Sequence, residues 1–182
     1  VSQTADGTTT TYLIDPDNPT GYAQPIEEWT GGTVPAVTYT IGDDIISQTD
    51  GSNNTEFLLY DGHGSTRQLA DDSTPVVVTD SYSYDAYGVL LQQEDAFPPG
   101  SVPGKTPAQS TSLLYAGEHF DKHAQHYYNR ARWYNPLNGR FNRTDPWSGS
   151  PQDPPFLHKY LYFHSNLVNA TYPSVTWIIL II

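Results

Sequence analysis

A tyrosine-aspartate pair followed by glycine three residues after the aspartate occurs twice in this chain. The copies are Tyr60-Asp61-Gly62-His63-Gly64 and, 24 residues on, Tyr84-Asp85-Ala86-Tyr87-Gly88. Each copy sits between short runs of β-branched and aromatic residues, so each reads as the tight turn of a hairpin. Repetition at such an interval predicts units that bury a face only against their neighbours. Tyr12, Asp15 and Gly21 read as a looser third copy.

The rest of the chain supports strands. Hydrophobic residues make up only 37%, while tyrosine, threonine, glycine and proline are abundant. Thr8–Ile14 is a β-branched run stopped by Asp15-Pro16. Val37–Ile41 and Ile45–Ser47 flank Gly42-Asp43-Asp44, a short hairpin connection, and Asp50-Gly51 marks a further turn. Val76–Tyr84 alternates tyrosine with small polar residues at the period of a half-buried strand. Four prolines and two glycines between Phe97 and Pro107 predict a surface loop within 92–110.

Twenty acidic against eight basic side chains give a net charge of −12, which disfavours nucleic acid as a partner and favours solubility. With no cysteine there is no disulfide framework, thiolate chemistry or cysteine metal site, and no cofactor is called for. The chain starts at Val1 without a basic leader, which reads as the later part of a longer protein. Its end, Trp177–Ile182, is wholly apolar. Six residues fall far short of the roughly 20 that span a bilayer, so a terminal strand fits it better than the start of a membrane segment.

The densest segment is Tyr127-Tyr128-Asn129-Arg130-Ala131-Arg132-Trp133-Tyr134-Asn135-Pro136-Leu137-Asn138-Gly139-Arg140-Phe141, followed by Asp145-Pro146. Arginines interleaved with aromatics suit single-stranded nucleic acid, but serve more often as stacked structural pairs, with Arg130 and Arg140 pinning a turn. This segment closely resembles the repeat-associated core of the Rhs/YD-repeat proteins. The tyrosine-aspartate turns resemble the repeats for which that family is named.

The resemblance implies an all-β fold. Consecutive antiparallel hairpins (1–91) form part of a β-shell, the Pro/Gly-rich loop (92–110) follows, and then comes a core segment (111–169), short, irregular or partly helical, with a diverged tail (170–182). Structural roles fall on Tyr60, Asp61, Gly64, Arg67, Tyr84, Asp85, Gly88, Tyr128, Arg130, Tyr134, Gly139, Arg140 and Phe141. It further implies a closing section that encloses or presents a C-terminal, toxin-type cargo. Its partners are then the upstream repeats and the downstream region of the same polypeptide, in a secreted or cell-surface setting, and exposed edge strands allow self-association.

Family members that release a cargo cut themselves with two aspartates and an arginine. Asp145 and Arg132 match the first aspartate and the arginine, whereas Tyr172 stands where the second aspartate is expected. A phenol with a pKa of about 10 cannot replace a carboxylate that shares a proton, so self-cleavage is expected to be lost. An extracellular adhesive or carbohydrate-binding module, stacking sugars on tyrosine faces, is the alternative function, and an aspartyl autoprotease the third.

His119, His123 and His126 would share one face if helical and could then hold zinc. Surface or turn histidines are the stronger reading. The sequons at Asn53, Asn142 and Asn169 matter only in a eukaryotic host.

Overall fold

The computed structural model describes residues 1–21, 23–95, 111–145, 157–162, 170–174 and 177–180. Of the Pro/Gly loop expected at 92–110, residues 92–95 instead continue a strand, and the rest, with Pro146 and the segment 163–169, lies outside the described residues. Among those described there is no α-helix, and the fold is all-β as expected.

Nine strands form one antiparallel sheet in chain order. They are β1 (Ser2–Ala5), β2 (Thr8–Asp15), β3 (Gln24–Trp29), β4 (Val37–Ile41), β5 (Ile45–Asp50), β6 (Thr55–Tyr60), β7 (Thr66–Asp71), β8 (Val78–Tyr84) and β9 (Leu90–Asp95). Every connection is between sequence neighbours, which is what local hairpin chemistry dictates. A second sheet holds β10 (His119–Asp121), β11 (His126–Asn129), β12 (Arg132–Asn135) and β13 (Arg140–Phe141), again in order. The apolar tail forms a strand, β15 (Trp177–Leu180), paired with β14 (Ala170–Ser174) across a register shift that accommodates Pro173. Pro25 in β3 likewise lies beside a register shift, between Leu13 and Ile14 of the facing strand.

Two compact units make up the chain. The first comprises Val1–Leu59, Gln68–Ser81 and Glu94–Lys105. The second comprises Tyr60–Arg67, Tyr82–Gln93 and Thr106–Ile182.

In the first unit, strands pair polar side chains as much as apolar ones. Buried Tyr39 donates its hydroxyl to Glu28 (2.7 Å), and Glu56 accepts from Gln48 (2.9 Å) and Thr79 (2.7 Å). A chain this poor in aliphatics can bury a sheet face where buried polar groups meet partners such as these.

The turns explain the recurring aspartates. Asp61 Oδ1 accepts the backbone N–H groups of His63 (2.9 Å) and Ser65 (3.0 Å). Asp85 Oδ1 does the same for Tyr87 (2.8 Å) and Val89 (2.9 Å). In both, the aspartate N–H donates to the carbonyl four residues on, and the glycine N–H returns to the aspartate carbonyl. Gly64 and Gly88 have φ of 80° and 85°, a left-handed backbone that glycine adopts without strain.

Asp50 forms the same turn, with Ser52 and Asn54 as donors to Oδ1 and Asn53 (φ 64°) in the glycine position. Asparagine is the residue that best tolerates this conformation after glycine. Asp15 instead accepts from Asp17, and Gly21 donates to Asn18. The third copy of the turn is therefore at Asp50, not at Tyr12, Asp15 and Gly21. Tyrosine is absent before it, and asparagine stands where glycine was looked for.

Candidate functional site

The chemistry-bearing residues gather in the second unit, where the second sheet meets the two tyrosine-aspartate turns. Across that sheet Phe120 pairs with Tyr127, Tyr127 with Tyr134, and Tyr134 with Phe141. The pairing brings an aromatic to the ladder every seven residues, with ring centroids 4.8, 6.2 and 6.0 Å apart. Tyr162 stacks on Tyr134 at 3.8 Å and meets Phe141 edge-on at 5.5 Å. Tyr127, Tyr134 and Tyr162 are buried, so their rings offer no open platform.

Burial of phenols requires acceptors for their hydroxyls. Tyr115 donates to the Ala86 carbonyl (2.9 Å), Tyr134 to that of Tyr87 (2.8 Å) and Tyr127 to that of Gly88 (2.8 Å). Three hydroxyls thus hold three consecutive carbonyls of the second turn. Burial pushes the Tyr115 phenol up to about 12 and also raises those of Tyr84, Tyr127, Tyr134 and Tyr162, so all remain protonated near neutral pH. Tyr84 donates to the Thr66 carbonyl (2.7 Å) and meets Tyr115 edge-on at 5.8 Å, while the Arg67 guanidinium lies 5.8 Å from its ring centre.

The fit at the glycines is close. A Cβ on Gly88 would lie 2.6 Å from the Tyr115 ring, and one on Gly139 (φ 67°) 2.8 Å from the Tyr87 ring. A short 3-10 turn, Tyr115–Gly117, faces the first turn. There Ala116 N–H donates to Ser65 Oγ (3.0 Å) and Thr66 N–H to the Leu114 carbonyl (3.0 Å).

Two arginines are anchored inside. Arg132, only 2% exposed, places its guanidinium carbon 3.6 Å from the Phe141 ring centre and its Nη1 2.9 Å from Asp145 Oδ2. The two residues matched to a cleavage site are thereby brought into direct contact. Arg132 Nε and Nη2 are buried without a hydrogen-bond partner among the described residues.

Arg130 pairs with buried Glu118 at 2.8 Å. It occupies a left-handed position (φ 56°) in the two-residue turn between β11 and β12. Burial raises the Glu118 pKa, and the Arg130 charge partly offsets this.

Arg140 is exposed at the edge strand β13, bridged to Leu161, and its N–H donates to Asn138 Oδ1. This contact with the turn is through its backbone, whereas the expectation was a guanidinium pinning it. Tyr128 lies on the outer face, 39% exposed, against Trp133 at 5.0 Å. Tyr60 is half-buried at the end of β6, and Tyr172 is on β14.

The three histidines do not share a helical face. His119 is on β10, His123 is in the following turn, and His126 is on β11 with its Nδ1 against the Ala124 carbonyl. The four-and-three spacing spans a hairpin built on Asp121, which accepts from His123 and Ala124 N–H groups. Sequence reasoning passed over Tyr115, Tyr162 and Glu118. The seven-residue spacing of Phe120, Tyr127, Tyr134 and Phe141 was a readable signal of the ladder.

No protein-family model matches the chain. It is 27% identical over 184 residues to the tRNA3(Ser)-specific nuclease WapA of Bacillus spizizenii, covering the whole chain. It is 30% identical over 122 residues, 67% of the chain, to the tRNA(Glu)-specific nuclease WapA of Bacillus subtilis subsp. natto. The chain spans only 7% and 5% of the length of these relatives.

Among solved structures, TcdB2-TccC3 superposes with a TM-score of 0.62 at 19% identity, covering 96% of this chain and 8% of that one. Its form without the hypervariable C-terminal region gives 0.61 at 18%, with the same coverage. Hairpins joined neighbour to neighbour, tyrosine-aspartate turns clasped by an aromatic sheet, and these likenesses agree: the chain belongs to the Rhs/YD-repeat proteins.

Proposed function

We propose that this chain is the closing section of an Rhs/YD β-shell that encloses or presents the polypeptide following it, and that it does so without cutting itself free. The similarity to toxin-associated proteins supports the general role. The observation that carries the particular one is the clasp of Tyr115, Tyr134 and Tyr127 on the carbonyls of residues 86, 87 and 88. Such a clasp fixes a folded aromatic sheet onto the turn ends of the repeats, as an end-piece requires. Nuclease activity belongs to the relatives by name; here it would reside in the cargo. A secreted or cell-surface location follows from the same reading, and among the described residues no helix is long and apolar enough to cross a membrane.

The absence of self-cleavage rests on chemistry. Asp145 is engaged by Arg132, and the position expected to supply a second carboxylate holds Tyr172. With tyrosine in place of the second aspartate, the shared proton of an aspartyl dyad is not available.

The test uses the full-length protein and an added protease. The downstream region should be cut at least about tenfold more slowly within the whole protein than when expressed alone, and the Tyr127→Phe/Tyr134→Phe double variant should lose much of that protection. Equal cutting rates would refute enclosure. The purified wild-type protein should also stay in one piece over days; efficient self-cutting abolished by Asp145→Asn would refute the second half of the reading.

A further inference from the structure

We propose that His63 is an acid-sensitive latch: its imidazole, packed on Tyr115 where the first tyrosine-aspartate turn meets the 3-10 turn, loosens that junction when it takes up a proton. This goes beyond the closing role and holds whether or not a cargo is enclosed.

The junction is narrow and its parts are few. His63 lies 5.4 Å from Tyr115, ring centre to ring centre, with the planes tilted by 57°. Beside it Ser65 Oγ accepts from Ala116 N–H and Thr66 N–H reaches the Leu114 carbonyl. A Cβ on Gly117 would sit 3.2 Å from the Gly64 carbonyl oxygen, so the two backbones are nearly in contact. Tyr115 also clasps the second turn through Ala86 and packs against Gly88 and Tyr84. A disturbance at His63 therefore bears on a residue that packs on the first turn and clasps the second.

The groups facing the imidazole fix the direction of its response. From its own turn there is Asp61, whose charge favours the imidazolium. From the 3-10 turn there is Tyr115, a neutral phenol, and behind it Tyr84 and the Asp85 carboxylate. Arg67, beside Tyr84, adds a positive charge. Burial is the largest influence and lowers the His63 pKa, outweighing Asp61. The unfolded histidine, with a pKa of about 6.5, then binds a proton at a higher pH than the folded one, so the junction weakens as pH falls below about 6.5.

Glu118, which ends the 3-10 turn, acts in the opposite sense. Its folded pKa is raised by burial, so its contribution improves on acidification. A variant at His63 separates the two.

Two measurements on the full chain decide the matter. Exchange of imidazole C2 hydrogens, followed by mass spectrometry across pH, should place the His63 midpoint below that of a free histidine. A midpoint at or above that value overturns the latch. Amide exchange at pH 7.5 and 5.5, corrected for intrinsic rates, should show the protection of residues 61–66 and 114–118 falling at least about fivefold more in the wild type than in His63→Phe. Equal falls in the two proteins overturn it as well. His63→Gln, smaller and also neutral, serves if the phenylalanine variant does not fold.

Discussion

At the level of single residues, Gly88 and Gly64 look alike in sequence and differ in what surrounds them. Both have positive φ, but a methyl at Gly88 meets the Tyr115 ring at 2.6 Å, while one at Gly64 meets nothing closer than 3.9 Å. Gly64→Ala should cost the left-handed penalty alone, about 1–2 kcal/mol, and Gly88→Ala about 2–4 kcal/mol once overpacking is added. Chemical denaturation of the two variants should give that order. Arg132 and Asp145 set up a second asymmetry. Asp145→Ala leaves a guanidinium that is 2% exposed without its counter-charge, a loss of about 3 kcal/mol or more, whereas Arg132→Met keeps a chain of similar length on Phe141 and leaves an Asp145 side chain that water reaches. Asp145→Ala should therefore be the more damaging of the two in thermal melts, although it removes the smaller side chain.

Among the elements, the turn is the unit that the sequence spelled out. Asp61 and Asp85 each tie two backbone N–H groups, so Asp85→Ala should cost about 1–2 kcal/mol and Asp85→Asn, which keeps an acceptor oxygen, clearly less. The difference is measurable as a shift in denaturation midpoint. Tyrosine-aspartate-glycine at those two places was legible because the side chain and the left-handed glycine act locally. Asp50 was read as a turn but not as a copy of the repeat, because the shared feature is the hydrogen-bond pattern, which Asn53 supports as glycine would. The sheet of β10–β13 corrects the irregular or partly helical segment expected there, because interleaved aromatics and turn residues close successive hairpins. Its clasp on residues 86–88 was not legible, since those hydrogen bonds span 29, 47 and 39 positions and depend on packing that no local pattern records. The histidine count of four and three implies a shared face only on a helix, and Asp121 closes a hairpin there instead.

For the whole molecule, edges and charge matter most. Both edges of the β10–β13 sheet are covered: Ser112 accepts from Phe120 on one side, and Tyr160 accepts from Phe141 on the other. Among the described residues β1 pairs only with β2, leaving a strand edge that invites another chain. The isolated chain should associate in a concentration-dependent way in sedimentation, and Ser2→Lys/Thr4→Lys should reduce this. Acid response is set partly by Glu118: its raised folded pKa means its stabilising balance is best at low pH and declines as pH rises from about 4.5 through the folded value, and Glu118→Gln should flatten that slope in melts run across pH. The tyrosine clasp also dictates a timetable. The carbonyls of residues 86–88 are complete long before Tyr115, Tyr127 and Tyr134 emerge from the ribosome, so during synthesis the second turn waits in water, and the aromatic sheet can seat only after the last of its hairpins has been made.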